Sequence, residues 1–365
     1  MSESIPVWMW IAGFLAVLGP LVTLHELGHY LVGRWFGVQA QAFSIGFGKE
    51  LAGWTDQRGT RWKLSALPLG GYVQFKGDMN PASVPDSSIK AERGTFQSAS
   101  LWQRALIVFA GPLMNILITL AIFASFNLAY GKVEANTVIG GLAERSVARD
   151  AGLRVGDRIL AIDGDPTESF EDLASQVLMY PGREVSLTFE RDGRSSTVPV
   201  RIADVTETDR FGNASRIGRL GVAAGEPTVS PVGLMEAVVL AGQQTVGLLR
   251  MMTTGIAQIF SGERSVQELG GPIKIAKYSG EQLSLGWLAF ANFAALISIN
   301  LAFINLLPIP GLDGGHLAFY AAEAVRRKPV GPRGTEWAYR GGIALVLMLM
   351  VFVTANDVAS LVVFG

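Results

Sequence analysis

The stretch LVTLHELGHYLVG, Leu21 to Gly33, sets two histidines and a glutamate inside a run that is otherwise apolar enough to cross a membrane. An ionisable group at bilayer depth is unfavourable by roughly 3 kcal/mol on insertion scales, so its presence points to function. On a helix, residues four apart share a face with Cβ atoms about 5 to 6 Å apart, so His25 and His29 can aim at one ion. Glu26 then stands beside that ion without having to ligate it. A carboxylate there can take a proton from water that a zinc ion has acidified from a pKa of about 15.7 toward 7. Two histidines do not complete such a site, which takes three protein ligands and a water. A third ligand is expected elsewhere.

Composition supports the membrane reading. Of 365 residues 49% are hydrophobic and 17% charged, against roughly 25% charged in ordinary soluble chains. The net charge of -1 gives no reason to expect a nucleic acid partner. Cysteine is absent, which removes disulfides, thiol catalysis and thiolate metal sites and leaves His, Asp and Glu as the strong ligands. The histidines are three, His25, His29 and His316. The first basic residue, Arg34, follows the first apolar run, which therefore lacks the positive start of a secretory signal and reads as a retained span.

Outward from that run, four stretches meet the requirement of about 20 mostly apolar residues for a spanning helix: Val7 to Val32, Ala105 to Tyr130, Trp287 to Ile309 and Gly341 to Phe364. Short cytoplasmic loops collect Lys and Arg. The connection from Arg34 to Arg104 carries nine, and the one after the third span holds Arg326, Arg327, Lys328 and Arg333. Both termini are therefore expected outside, with these two connections in the cytoplasm. The run AFSIGFGKELAGWTDQRGTRWKLSALPLGGYVQFKGD (Ala42 to Asp78) alternates apolar and polar residues between glycines, predicting β-hairpins at or within the cytoplasmic leaflet. A loop is expected at Pro81 to Ser88. Pro231 to Ser261 is long and helical in character but contains Glu236, Gln243, Gln244 and Arg250, which favours an amphipathic helix on the membrane over a fifth span. A fifth span there would also move the end of the third apolar run to the opposite face of the bilayer from His25.

The third ligand is sought in INLLPIPGLDGGH, Ile304 to His316. Pro308 and Pro310 stop the third span, and the glycines allow close backbone approach. Asp313 is an acid in an apolar setting and, by the charge rule, belongs to the same leaflet as His25. His316 is the rival, its other role being a hydrogen bond that orients a ligand. Asp313 is preferred because a carboxylate lowers the net charge of a buried zinc site.

Residues from Val133 to about Val205 read as a separate domain. Its AGLRVGDRILAIDG run (Ala151 to Gly164), followed by an expected helix at Ser169 to Met179 and two strands, resembles a PDZ domain of the bacterial protease type. Together with HELGH, GPLMN (Gly111 to Asn115), ELGGPIKIAKYSG (Glu268 to Gly280) and NLLPIPGLDGGH, the chain resembles the site-2 protease family of intramembrane zinc metalloproteases, in its RseP-type bacterial branch. The likeness covers nearly the whole chain, with one PDZ domain where the best-known member of the branch has two in tandem.

The resemblance implies Zn2+ held by His25, His29 and Asp313, with Glu26 as general base. It implies that Asn305, with Asn300 beside it, holds the unwound substrate backbone, and that Phe43 to Gly48 and Gly70 to Phe75 offer an edge for β-addition of substrate. It further implies a bacterial inner membrane location, a periplasmic PDZ domain, and single-span membrane substrates of the anti-sigma factor type, with spent signal peptides as further ones. The expected fold is a polytopic α-helical membrane protein of four transmembrane helices with a membrane-associated β-hairpin region and a periplasmic α+β PDZ domain. Its parts are residues 1–34 (first span), 35–100 (hairpins and loop), 101–131 (second span), 132–206 (PDZ), 207–284 (periplasmic amphipathic helical segment), 285–316 (third span) and 317–365 (cytoplasmic loop and fourth span). The competing reading is a non-catalytic membrane scaffold whose PDZ domain binds tails.

Overall fold

The computed structural model describes residues 5–77, 92–208, 214–268, 270–328 and 331–364. The loop expected at Pro81 to Ser88 lies outside them. In chain order the elements are α1 (Val7–Trp35), β1 (Ala40–Thr55), β2 (Arg61–Phe75), α2 (Leu101–Tyr130), β3 (Lys132–Glu134), β4 (Ile139–Leu142), α3 (Val147–Asp150), β5 (Arg158–Ile162), β6 (Asp165–Pro166), α4 (Phe170–Leu178), β7 (Glu184–Arg191) and β8 (Arg194–Arg201). There follow β9 (Ala203–Thr208), β10 (Ala214–Arg219), β11 (Val222–Ala224), β12 (Thr228–Ser230), α5 (Leu234–Ser261), α6 (Pro272–Ser284), α7 (Trp287–Leu306), α8 (Asp313–Arg326) and α9 (Pro332–Phe364). The chain forms two compact units, Met1–Phe123 with Gly270–Asp357, and Ala124–Leu269 with Val358–Gly365.

Among the described residues four helical stretches are long and apolar enough to cross a membrane: Val7–Trp35, Leu101–Tyr130, Trp287–Leu306 and Gly334–Ala359. In the first unit, the buried residues of α1 include Gly13, Val17, Leu21, His25, His29 and Gly33, every fourth position, so one stripe faces protein. Helix α7 stops at Leu306, ahead of the expected Ile309. Leu307 is already extended (φ -63°, ψ 140°), as the residue before a proline must be when Pro308 disfavours the α region. The segment expected to close the third span at residue 316 instead starts a separate helix, α8, at Asp313. Helix α6 belongs to this unit and packs along α1. Its first turn is capped from far along the chain: buried Asp357 of α9 accepts from the backbone N–H groups of Gly271, Ile273 and Lys274, each at 3.0 Å.

Strands β1 and β2 are not a simple ladder. Their register pairs residues 42–45 with both 61–64 and 71–74, and residues 52–55 with 61–64. The four runs therefore lie in the order 52–55, 61–64, 42–45, 71–75. Phe43, Ser44 and Ile45 are paired on both sides, so the edge expected at Phe43 to Gly48 is not available there; Gly71 to Phe75 is the outer run.

In the second unit, β6, β5, β7 and β8 form a sheet in that order, and β4–β11, β9–β10 and β3–β12 pair antiparallel. Its core gathers Ile139, Ile159, Leu173, Val177, Leu187 and Ile202, and takes in Leu220, beyond the expected boundary at residue 206. Ser169 and Asp172 close a reciprocal capping box that starts α4. Residues 207–284 are accordingly not helical throughout: strands β10 to β12 precede α5, whose Ala237, Ala241 and Thr245 are buried at four-residue spacing.

Candidate metal centre

Three helices of the first unit build the centre. Helix α1 supplies His25, Glu26 and His29. Helix α8 supplies Asp313 from its first turn, brought close because Gly314 and Gly315 lie where a Cβ would overlap the carbonyls of Leu306, Leu307 and Ile309. Helix α2 forms the wall: a Cβ on Gly111 would overlap Nε2 of both histidines.

His25 Nε2 lies 3.1 Å from Asp313 Oδ2, His29 Nε2 lies 3.5 Å from the same oxygen, and the two histidine nitrogens are 3.2 Å apart. A tetrahedral zinc ion with ligand bonds near 2.0 Å requires donor atoms about 3.3 Å from one another. Two neutral imidazoles turning their Nε2 atoms toward each other and toward a carboxylate repel unless a proton or a cation lies between them. The donor set, two imidazoles and one carboxylate, is that of open catalytic zinc sites. The residues thus fit the ion. Both histidines are buried, at 7% and 8% exposed, which shields such a centre from water on the protein side.

His29 is oriented by its other nitrogen. Nδ1 lies 2.8 Å from the carbonyl oxygen of Ile107, so it carries the proton and leaves the Nε2 lone pair free. Glu26 Oε2 accepts from the backbone N–H of Val73 on the outer run of β2, at 3.1 Å.

A cavity of about 420 Å³ joins these groups. Its lining includes His25, Glu26, His29, Asp313, Asn305 and His316 together with Tyr72, Val73 and Asn115. Asn305 therefore faces the same space as the metal ligands, whereas Asn300, expected beside it, is absent from that lining. His316 shares the cavity without joining the donor triangle, and its Nδ1 lies 2.6 Å from the Tyr339 hydroxyl of α9. The motif reading did not anticipate two contacts, Val73 on Glu26 and Asn115 on His25. GPLMN was visible as a motif, but only folding shows which way its asparagine points.

The family model described as peptidase family M50 matches residues 13–349. A protein of Rhizobium meliloti (strain 1021), provisionally named a zinc metalloprotease, is 44% identical over 358 residues, 95% of this chain and 96% of that protein. One of Agrobacterium fabrum with the same provisional name is 42% identical over 97% of this chain and 96% of its own length. Metalloprotease MmpA of Caulobacter vibrioides is 32% identical over 97% of this chain and 96% of its own. The donor triangle, the glutamate beside it and these full-length likenesses agree, and the chain belongs to peptidase family M50, the site-2 protease family of metalloproteases.

Proposed function

We propose that this metalloprotease hydrolyses a peptide bond within the transmembrane segment of a single-span membrane protein, near the cytoplasmic side, using zinc held by His25, His29 and Asp313. The observation that carries the reading is the 3.1 to 3.5 Å triangle of donor atoms with Glu26 on the same cavity. When bound, the metal supplies Lewis acidity toward a carbonyl oxygen and toward water. Glu26 acts as general base. Its Oε2 is held by Val73 N–H, so the attacking water gives its proton to Oε1, from which the proton passes to the departing amine. The substrate helix must unwind to present its scissile carbonyl. Its freed backbone groups find partners at the outer edge of Gly71 to Phe75, by β-addition, and at the Asn305 amide.

The unit carrying the AGLRVGDRILAIDG run is read as a periplasmic PDZ domain, with α5 lying along the membrane surface. Both termini are then periplasmic, the four spans cross the bacterial inner membrane, and the active site opens toward the cytoplasm. The resemblance supports substrates of the anti-sigma factor type already trimmed by another protease, with spent signal peptides as further ones, so that release of a cytoplasmic fragment alters transcription.

The test is cleavage of a model single-span substrate by the purified protein, comparing wild type, Glu26→Gln and chelator-treated enzyme. Loss of a general base lowers the rate by about 10² to 10⁴-fold. Cleavage by wild type alone, abolished by chelator, supports the protease. Equal cleavage by the variant removes Glu26 as the base, and no cleavage by zinc-loaded wild type across several substrates favours the scaffold.

A further inference from the structure

The two histidines are held differently by α2. Ile107, Gly111 and Asn115 follow one another at four-residue spacing on one face of that helix. Gly111 lets the imidazoles approach, and the Ile107 carbonyl fixes the proton of His29 on Nδ1. One turn on, the Asn115 side-chain amide lies 3.3 Å from His25 Nδ1. Asn115 is completely buried. Its main chain is pinned, because its carbonyl accepts from the hydroxyls of Thr119 at 3.0 Å and Ser298 at 2.8 Å.

The amide nitrogen is the atom placed nearest His25 Nδ1, and Oδ1 is buried without a partner. An N–H directed at Nδ1 would force the ring proton onto Nε2, the atom that points at Asp313 and His29. That tautomer has no lone pair for a metal. A half turn of the nearly symmetric amide about its last bond exchanges the two atoms and removes the conflict. Oδ1 then accepts from His25 Nδ1–H, Nε2 is left as a ligand, and the NH2 group takes the place that Oδ1 held.

We infer that Asn115 is a positioning residue for the metal centre, its Oδ1 accepting from His25 Nδ1–H and so fixing the ligating tautomer, as Ile107 does for His29. The inference rests on His25 being a ligand. An orienting partner of this kind is worth about 10- to 100-fold in metal affinity.

The experiment measures zinc affinity of the purified full chain by competition with a chromogenic chelator, and the visible absorption of the cobalt-loaded protein. The variants are Asn115→Leu, Asn115→Ala, Asn115→Asp and His25→Ala. Expected are affinities about 10- to 100-fold weaker for Leu and Ala, with an altered cobalt spectrum, and wild-type or tighter affinity for Asp, which keeps the acceptor. If Asn115→Leu does not fold, the pair Asn115→Ala and Asn115→Asp decides alone. Equal weakening by Asp and Ala, or no weakening by Ala, overturns the inference. Unchanged affinity in His25→Ala overturns the ligand assignment beneath it.

Discussion

His25 Nε2 and Asp313 Oδ2 meet at 3.1 Å although one sits in the first helix of the chain and the other begins the last helix but one. Their meeting predicts which residue completes the metal site. Asp313→Ala is expected to weaken zinc binding by more than the about 100-fold that bounds orienting partners. His316→Ala, which loses a contact to Tyr339, is expected to stay within about tenfold of wild type. Chelator competition on the two variants checks this; the reverse ranking would make His316 the ligand.

Gly111 gives a steric prediction. A methyl group there overlaps Nε2 of both histidines, whereas Gly19 of α1 has open space around its Cβ position. Gly111→Ala should displace the imidazoles and weaken zinc binding by about tenfold or more, the range seen when a ligand loses its orientation. Gly19→Ala should leave it unchanged. Comparable zinc affinities in the two variants would mean that the centre yields to the added methyl.

The HELGH spacing and the acid in LDGGH were legible because each depends on local geometry: a helix places i and i+4 together, and an acid among prolines, glycines and leucines has few bland uses. The four-run order of β1 and β2 was not legible, since residues 42–45 choose two partners from among several runs of similar pattern. The end of α7 at Leu306 follows from the restriction Pro308 places on its neighbour, a local rule that sets the boundary more closely than the apolar run, which continues to Ile309. Asn300 and Asn305 looked alike in sequence, but only Asn305 reaches the cavity. The strands at 214–230 were hidden inside a segment dominated by the helical pattern that follows them.

Val73 ties the general base to the sheet. Its N–H holds Glu26 Oε2 at 3.1 Å from the outer run of β2, and the same run is the proposed docking edge. Val73→Pro removes the donor and should lower the cleavage rate by about 100-fold, with zinc affinity preserved. Val73→Ala, which keeps the N–H, should cleave within about tenfold of wild type. A Val73→Pro enzyme as fast as the alanine variant would detach Glu26 from this contact.

In the second unit the acid of the AGLRVGD run makes a pH prediction. Asp157 is 1% exposed; Arg191 reaches both carboxylate oxygens, Nε to Oδ1 and Nη2 to Oδ2, each at 2.6 Å, and Arg154 N–H adds a third bond at 2.7 Å. Hydrogen bonding from Arg191 holds the carboxyl below its ordinary value. Because the folded value lies below the unfolded one, near 3.9, its contribution to stability is complete above that pH and is lost as the pH falls through the folded value. All the tryptophans lie outside Ala124–Leu269, so indole fluorescence does not follow this unit. Hydrogen exchange of the full chain, corrected for intrinsic rates, should show the opening free energy around β5 and β7 dropping below pH 4 in wild type. Asp157→Asn should lower that energy by about 1.5 to 3 kcal/mol at neutral pH and flatten the drop. An equally steep acid loss in the variant would place the responsible carboxylate elsewhere.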